Sequence, residues 1–308
     1  MEGRERNKYG VVKKEDSVEV AGNLSEALAS GDDDKVREIL RNPEKVHGLV
    51  LRIGETGGNL TLLENAFNSL LKTRFGARAE LSEFEPNKGP ELIGFIRGIG
   101  LPEQILTELS QCAFHAGEEE KFFRILKLIY LNQEYFQNQQ VVARAIHDMA
   151  SWQGTHRNKG AAVAMNQEAL GMARKTDDEV LAIKSQAGLS LNKELPPRLK
   201  ADDMIKLADE LKGRGVEYDA ARLRIEAAAA LLDLAKRQTG SLREENLIKA
   251  KNLALELGLK ESIEIDYPKA EIVARNVLAD IYKEFGDKRK STSYEAGAKA
   301  KKRFVKGI

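Results

Sequence analysis

Residues 267–308 read YPKAEIVARNVLADIYKEFGDKRKSTSYEAGAKAKKRFVKGI and contain two helix-length segments separated by Gly286 and Asp287. In the first segment, apolar residues recur at steps that fit the 3.6-residue period of an α-helix. These residues are Ile272, Leu278, Ala279, Ile281, Tyr282 and Phe285. Glycine readily adopts the left-handed conformation that ends a helix, and the carboxylate of Asp287 can cap the helix that follows. The stretch therefore predicts a helical hairpin.

The same pattern recurs upstream of this hairpin. The predicted pairs of helices cover roughly residues 102–131, 138–175, 178–213, 217–258 and 267–308. A single hairpin cannot cover its own apolar face, whereas stacked hairpins cover the faces of one another. We therefore predict an all-α fold, an α-solenoid of stacked antiparallel helical hairpins. The uneven spacing of the pairs leaves a compact all-helical bundle as the alternative.

The last hairpin resembles the tetratricopeptide repeat (TPR), whose first helix carries a tryptophan-x2-leucine-glycine-x2-tyrosine pattern and whose second helix carries alanine-x3-phenylalanine. The residues that carry the resemblance are Leu278, Ala279, Tyr282, Gly286 and Asp287. Arg275 stands in the place of the tryptophan, and Ser291 and Glu295 replace the alanine and the phenylalanine. The resemblance implies a TPR-like superhelix in which the first helix of each hairpin lines a concave groove.

Composition and charge limit the classes of partner. Of the 308 residues, 31% are charged, and the net charge of +1 gives no overall attraction to nucleic acid or to a membrane surface. No segment approaches the roughly 20 apolar residues that span a bilayer, and the charged N-terminus lacks the apolar core of a signal peptide. The single cysteine, Cys112, excludes an intrachain disulfide. We therefore expect a cytoplasmic protein with no membrane partner.

The chain is predicted to have three regions. Residues 1–22 are expected to be a disordered tail, because they offer little apolar surface to bury. Residues 23–98 are expected to form an N-terminal helical segment, which contains a short hairpin with a Gly31-Asp32 turn and ends near the linker EPNKGP at 85–90. Residues 99–308 are expected to form the TPR-like helical-repeat array.

His147 and Asp148 are the strongest candidates for chemistry. A His-Asp pair on a helix, with His115 upstream, is similar to the HD metal-dependent phosphohydrolases, in which such residues hold metal ions that activate water. In the hairpin register, however, His147 occupies a tightly packed position between two helices, and His115 precedes a predicted turn. We therefore predict no catalytic residue, no metal site and no cofactor, and we keep an HD-like metal-dependent phosphohydrolase as an alternative.

The C-terminal helix is strongly basic. Nine basic residues lie between Lys283 and Lys306, against three acidic ones. Such a cluster can contact the phosphates of nucleic acid. The terminal helix of an array also needs a polar outer face, however, and a helix C-terminus favours cations. A regulator that contacts nucleic acid through Lys288–Lys306 is therefore an alternative, but it is not favoured.

The TPR resemblance assigns the positions that would face a ligand, because polar residues of each first helix line the groove in such arrays. Carried onto this sequence, the groove residues are Thr107, Gln111, Arg144, Asp148, Trp152, Asn276, Asp280 and Lys283. Arginine and lysine side chains there could hold a carboxylate, and the tryptophan could anchor an apolar group. We therefore predict a non-enzymatic scaffold or adaptor that binds a protein or peptide.

Overall fold

The computed structural model describes residues 14–56, 61–81, 84–265 and 267–303, which form helices and turns and contain no β-strand. The first eight helices are α1 (Lys14–Ser30), α2 (Asp33–Leu40), α3 (Pro43–Thr56), α4 (Leu62–Phe75), α5 (Gly89–Gly98), α6 (Ile105–His115), α7 (Glu119–Leu131) and α8 (Gln139–Thr155). The next eight are α9 (Lys159–Lys175), α10 (Glu179–Asn192), α11 (Pro197–Gly213), α12 (Glu217–Lys236), α13 (Gly240–Asn252), α14 (Lys260–Glu264), α15 (Pro268–Glu284) and α16 (Lys288–Lys302). The predicted all-α class is thus confirmed for the described residues.

Helices that are neighbours in the chain pack against one another throughout the described residues. The pairs α8–α9, α11–α12 and α15–α16 make extensive contacts, and α9–α10 and α6–α7 do likewise. Helices α8 to α12 and α15 lie close to the bounds predicted from the apolar periodicity. None of the helices in the described part of the chain combines the length and the apolar character needed to cross a bilayer.

The Gly-Asp turns form as predicted. Gly286 has a positive φ of 78°, and the carboxylate of Asp287 accepts a hydrogen bond of 3.0 Å from the backbone N–H of Lys290. In the first hairpin, Gly31 has a φ of 68° and Asp32 caps α2 in the same way. Because the left-handed backbone strains residues with a Cβ, glycine suits both turns.

The hairpin that begins with α12 departs from the prediction of one regular second helix over 241–258. Here α13 continues as a π-helix over Leu253–Leu259 before α14. A Cβ on Gly258 would lie 2.7 Å from Cγ1 of Ile225 in α12, so glycine permits the π segment to pack closely on that helix. The hydroxyl of Ser262 donates a hydrogen bond of 2.6 Å to the carbonyl of Gly258.

The hydrophobic core consists mainly of two clusters. The first extends from Val20 to Ala169 and the second from Val180 to Ile281. Contacts cross the predicted division between residues 98 and 99, because Arg41 donates to the carbonyl of Ile99 at 2.9 Å. That division stays a prediction. Part of the predicted tail, from residue 14 to 22, is helical in α1, and residues 1–13 lie outside the described residues.

Candidate functional site

A buried carboxylate joins three helices near the middle of the first core cluster. Glu108 of α6 is only 4% exposed and lies 3.1 Å from Nη1 of Arg144 in α8. Its other oxygen lies 3.1 Å from Nδ1 of His47 in α3. A carboxylate is costly to bury without partners, so these two contacts explain how the acid is tolerated there. We call these three residues the Glu108 cluster.

The pKa of Glu108 reflects this balance. Burial acts to raise it, but the positive charge of Arg144 and then that of His47 outweigh burial and hold the pKa below its ordinary value. The carboxylate is therefore charged at neutral pH. The sequence analysis did not predict this site, although Glu108 directly follows a predicted groove residue, Thr107.

Further polar pairs extend from the Glu108 cluster across the following hairpins. Nε2 of Gln111 in α6 donates to Oδ2 of Asp148 in α8 at 2.7 Å. Lys184 of α10 pairs with Asp219 of α12 at 2.6 Å, and both side chains are about one-third exposed. We call the whole set the polar row. It consists of Glu108, Gln111, Arg144, Asp148, Lys184 and Asp219.

The polar row holds charges of both signs, three acidic side chains and two basic ones. Burial acts to raise the pKa of Asp219, but the charge and hydrogen bond of Lys184 outweigh it, so the pKa lies below its ordinary value. Asp219 is therefore charged at neutral pH and pairs with Lys184. Because these two side chains stay partly exposed, they can still bind a ligand that approaches from solvent.

The first helices of successive predicted hairpins contact one another at similar sequence separations. The side-chain contacts at 35 to 38 residues are Glu108–Arg144 and Gln111–Asp148 between α6 and α8, His147–Ser185 between α8 and α10, and Lys184–Asp219 between α10 and α12. Such contacts link the first four predicted hairpins at similar positions. This is the pattern expected where one structural unit follows another along the chain.

His147 is held by uncharged partners. Its Nδ1 lies 3.2 Å from Oδ1 of Asn166 and 3.4 Å from the hydroxyl of Ser185. Burial is the main cause that lowers the pKa of His147, so the imidazole is neutral at neutral pH. Among residues 14–56, 61–81, 84–265 and 267–303, no three His, Cys, Asp or Glu side chains come close enough together to hold a metal ion.

The structure places the predicted groove residues in different environments. Thr107 is fully buried, and its hydroxyl donates to the carbonyl of Gln104, so it lies in the core and not on a ligand-facing surface. Both Thr107 and Glu108 lie one turn from Gln111, but it is Glu108 that contacts Arg144 and His47. Trp152 is half-buried and stacks on Phe123 and His156, so much of its ring is already covered.

The predicted residues of α15 are the most accessible. Asn276, Asp280 and Lys283 are all exposed. Their steps of four and three place them on one face of the helix. The structure therefore pairs Gln111 with Asp148 and Arg144 with Glu108, both between α6 and α8, whereas the α15 residues form a separate exposed stripe.

The basic C-terminal helix is partly neutralised within its own hairpin. Lys301 of α16 pairs with Glu271 of α15 at 2.8 Å, and Lys290 lies 3.5 Å from Asp287. Lys306 lies outside the described residues. The pairing of Lys301 fits a helix that packs on its neighbour and presents its remaining cations to solvent.

A cavity of about 560 Å³ lies beside the π segment. Its apolar lining comes from Ile205, Leu231, Leu253 and Leu257, and its charged lining from Arg198, Asp202, Lys249 and Glu256. The charges are of both signs. Because the polar row is built by contacts that recur from hairpin to hairpin, it is the better candidate for a binding surface.

Sequence reasoning missed Glu108, Lys184 and Asp219. The usable signal was their spacing, since each lies about one hairpin along the chain from another member of the polar row. Comparison with models of known protein families gives no match for this chain, and comparison with curated proteins gives no match either.

Proposed function

We propose that this chain is a non-enzymatic scaffold or adaptor, a TPR-like α-solenoid whose first helices form a concave surface for a protein or peptide. The observation that carries the proposal is that the side chains of α6, α8, α10 and α12 contact one another in turn at separations of 35 to 38 residues. Contacts of constant separation are what stacked hairpins produce, and stacked hairpins commonly expose an extended concave surface.

The chemistry of the polar row supports binding. It contains two cations, three anions and one amide on the alternate helices α6, α8, α10 and α12, and its outer members Lys184 and Asp219 remain partly exposed. An extended peptide could exchange hydrogen bonds with several hairpins in turn, and charged groups in such a row fix the register and orientation of a ligand. The exposed stripe of Asn276, Asp280 and Lys283 on α15 would continue this surface.

The proposal can be tested with two charge reversals in the last hairpin. Lys283 lies on α15, the first helix, and Lys299 lies on α16, the second helix, and both are exposed. The chain is immobilised and the proteins that it captures from an extract of its native cells are quantified by mass spectrometry. We expect Lys283→Glu to reduce recovery of a specific partner about tenfold, which corresponds to about 1.4 kcal/mol. Lys299→Glu should leave the recovery unchanged.

The same experiment distinguishes the nucleic-acid alternative. If Lys299→Glu lowers the recovery and Lys283→Glu does not, and if nuclease treatment removes the captured material, the basic helix and not the first helices forms the binding surface. Circular dichroism of both variants should show unchanged helicity, because both lysines are exposed.

A further inference from the structure

Two titratable side chains from distant hairpins meet at one point of the molecule. Nζ of Lys269, in the first turn of α15, lies 3.3 Å from Nδ1 of His115, the last residue of α6. The two residues are 154 positions apart, far more than the 35 to 38 residues that separate most contacts between hairpins. Both side chains are half-buried. The contact therefore joins the first and the last hairpin of the predicted array.

Lys269 and His115 both lie on helix faces that belong to the proposed binding surface. Lys269 precedes Asn276 by two helical turns, so it lies on the same face of α15 as the exposed stripe. His115 follows Gln111 by one turn, so it lies on the same face of α6 as that member of the polar row. The Lys269–His115 pair is therefore placed where the two stripes meet.

The electrostatics of the pair are those of a cation that lacks a counter-ion. A short contact between the two nitrogens requires an ammonium that donates and a neutral imidazole that accepts. Burial and then the charge of Lys269 lower the pKa of His115 to about 4, against the opposing effect of Glu108. Burial lowers the pKa of Lys269. Among the described residues, no carboxylate pairs with the Lys269 ammonium.

We propose that Lys269 and His115 form a binding site for an oxyanion, a carboxylate or a phosphate group, carried by the ligand of the concave surface. This inference rests on the proposed function, because the acidic group would belong to the same ligand. The ammonium keeps two N–H groups, and the imidazole presents its Nε2–H, so the pair offers donors to an anion. Such an anion would supply the missing counter-charge and would tie α6 to α15.

The side chains around the pair indicate which chemical group of the ligand lies next to its acidic group. Phe114, which is 47% exposed, lies with its ring 5.6 Å from that of His115. Val273, which is 46% exposed, lies one turn after Lys269 on the same face of α15. Both leave apolar surface uncovered beside the anion site. The ligand is therefore an acidic group with an adjoining apolar group.

The site can be tested without knowledge of the partner. The Cε1 proton of His115 is followed by NMR as a function of pH, in the presence of acetate, of inorganic phosphate, or of chloride at matched ionic strength. His115→Gln identifies the resonance, and His147 serves as an internal control. We expect the titration midpoint of His115, about 4 in chloride, to rise by one unit or more with acetate or phosphate, because a bound anion stabilises the imidazolium.

Two further outcomes decide the interpretation. Lys269→Met should raise the midpoint even in chloride and should abolish the effect of the anions, since the repelling cation is removed. A response to acetate alone assigns a carboxylate, and a response to phosphate alone assigns a phosphate. If the wild-type midpoint is the same in all three solutions, or if Lys269→Met responds to the anions as the wild type does, the site is excluded. Neither result depends on the capture of a partner, so this inference and the proposed function can fail separately.

Discussion

Two buried ionic clusters in this molecule have central groups of opposite charge. In the Glu108 cluster a carboxylate that is 4% exposed lies between Arg144 and His47. In the second core cluster a guanidinium, that of Arg224, is also 4% exposed and lies between Asp209 and Glu261. We call these last three residues the Arg224 cluster. Each cluster joins three helices, but the partners of the two central groups differ in their exposure to solvent.

The difference lies in what would remain if one partner were lost. Asp209 is 64% exposed, and Glu261 has a second partner in Lys212 at 2.5 Å. Both acids would therefore stay solvated or paired without Arg224. The carboxylate of Glu108, in contrast, is itself the buried member and depends on Arg144 for a permanent positive charge. A buried ionic cluster therefore loses most stability when the partner that is removed leaves an unpaired charge in the core.

The largest expected effect is that of Arg144→Met. This substitution removes the permanent counter-charge of Glu108 and should lower the free energy of unfolding by about 3–5 kcal/mol, the usual cost of a stranded buried charge. Arg224→Met is the matched variant in the other cluster and should cost only about 1 kcal/mol, because Asp209 stays solvated and Glu261 stays paired with Lys212, so no unpaired charge is left in the core. Urea denaturation at pH 7, followed by circular dichroism, measures both. Equal losses would contradict the comparison.

The glycine that positions the π segment gives the next largest effect. Gly258→Ala places a Cβ 2.7 Å from Cγ1 of the buried Ile225, so we expect a loss of about 1–3 kcal/mol from overpacking. The control is Gly171→Ala in the middle of α9, where a Cβ meets nothing within 4 Å. That variant should gain up to about 1 kcal/mol from the higher helix propensity of alanine. Thermal unfolding of both variants tests the pair, and stabilisation by both would show that the close approach to Ile225 is not needed.

The features that could be predicted from the sequence are the local ones. The turn at Gly286 and Asp287 and the apolar period of α15 depend on neighbouring residues, so the hairpin could be located before the structure was known. The π segment could not, because it depends on the contact between Gly258 and Ile225, which belongs to a different helix. Local information decides where helices begin and end, whereas their irregularities arise from packing.

The contacts of the candidate site also depend on packing between helices, so the sequence predicts only some of them. Gln111, Arg144 and Asp148 are predicted from register, and the structure pairs Gln111 with Asp148 and Arg144 with Glu108, in both cases between α6 and α8. Thr107 comes from the same register but is fully buried, because register places a residue on a helix face and does not tell how closely the neighbouring helices cover it. The contact between His115 and Lys269 has no counterpart in the repeat spacing and required the three-dimensional structure.

The smallest expected effect is a pH dependence of the free energy of unfolding that arises from Glu108. The pKa of Glu108 is lowered in the folded protein from the ordinary value of 4.5, since Arg144 and His47 together outweigh burial. Above pH 4.5 the carboxylate is ionised in both the folded and the unfolded chain, and its pairing contributes fully to stability. Below pH 4.5 the unfolded chain binds the proton first, so this contribution is lost as the pH falls.

Glu108→Gln isolates that contribution, because the amide keeps the shape of the side chain and does not titrate. The wild type should be more stable than this variant by about 1 kcal/mol at pH 7, and the gap should narrow as the pH falls below 4.5. Urea denaturation of both proteins between pH 7 and pH 3.5 measures the gap. A gap that stays constant across this range would show that Glu108 is not held ionised by Arg144, and it would also remove the physical reason for the large effect expected of Arg144→Met.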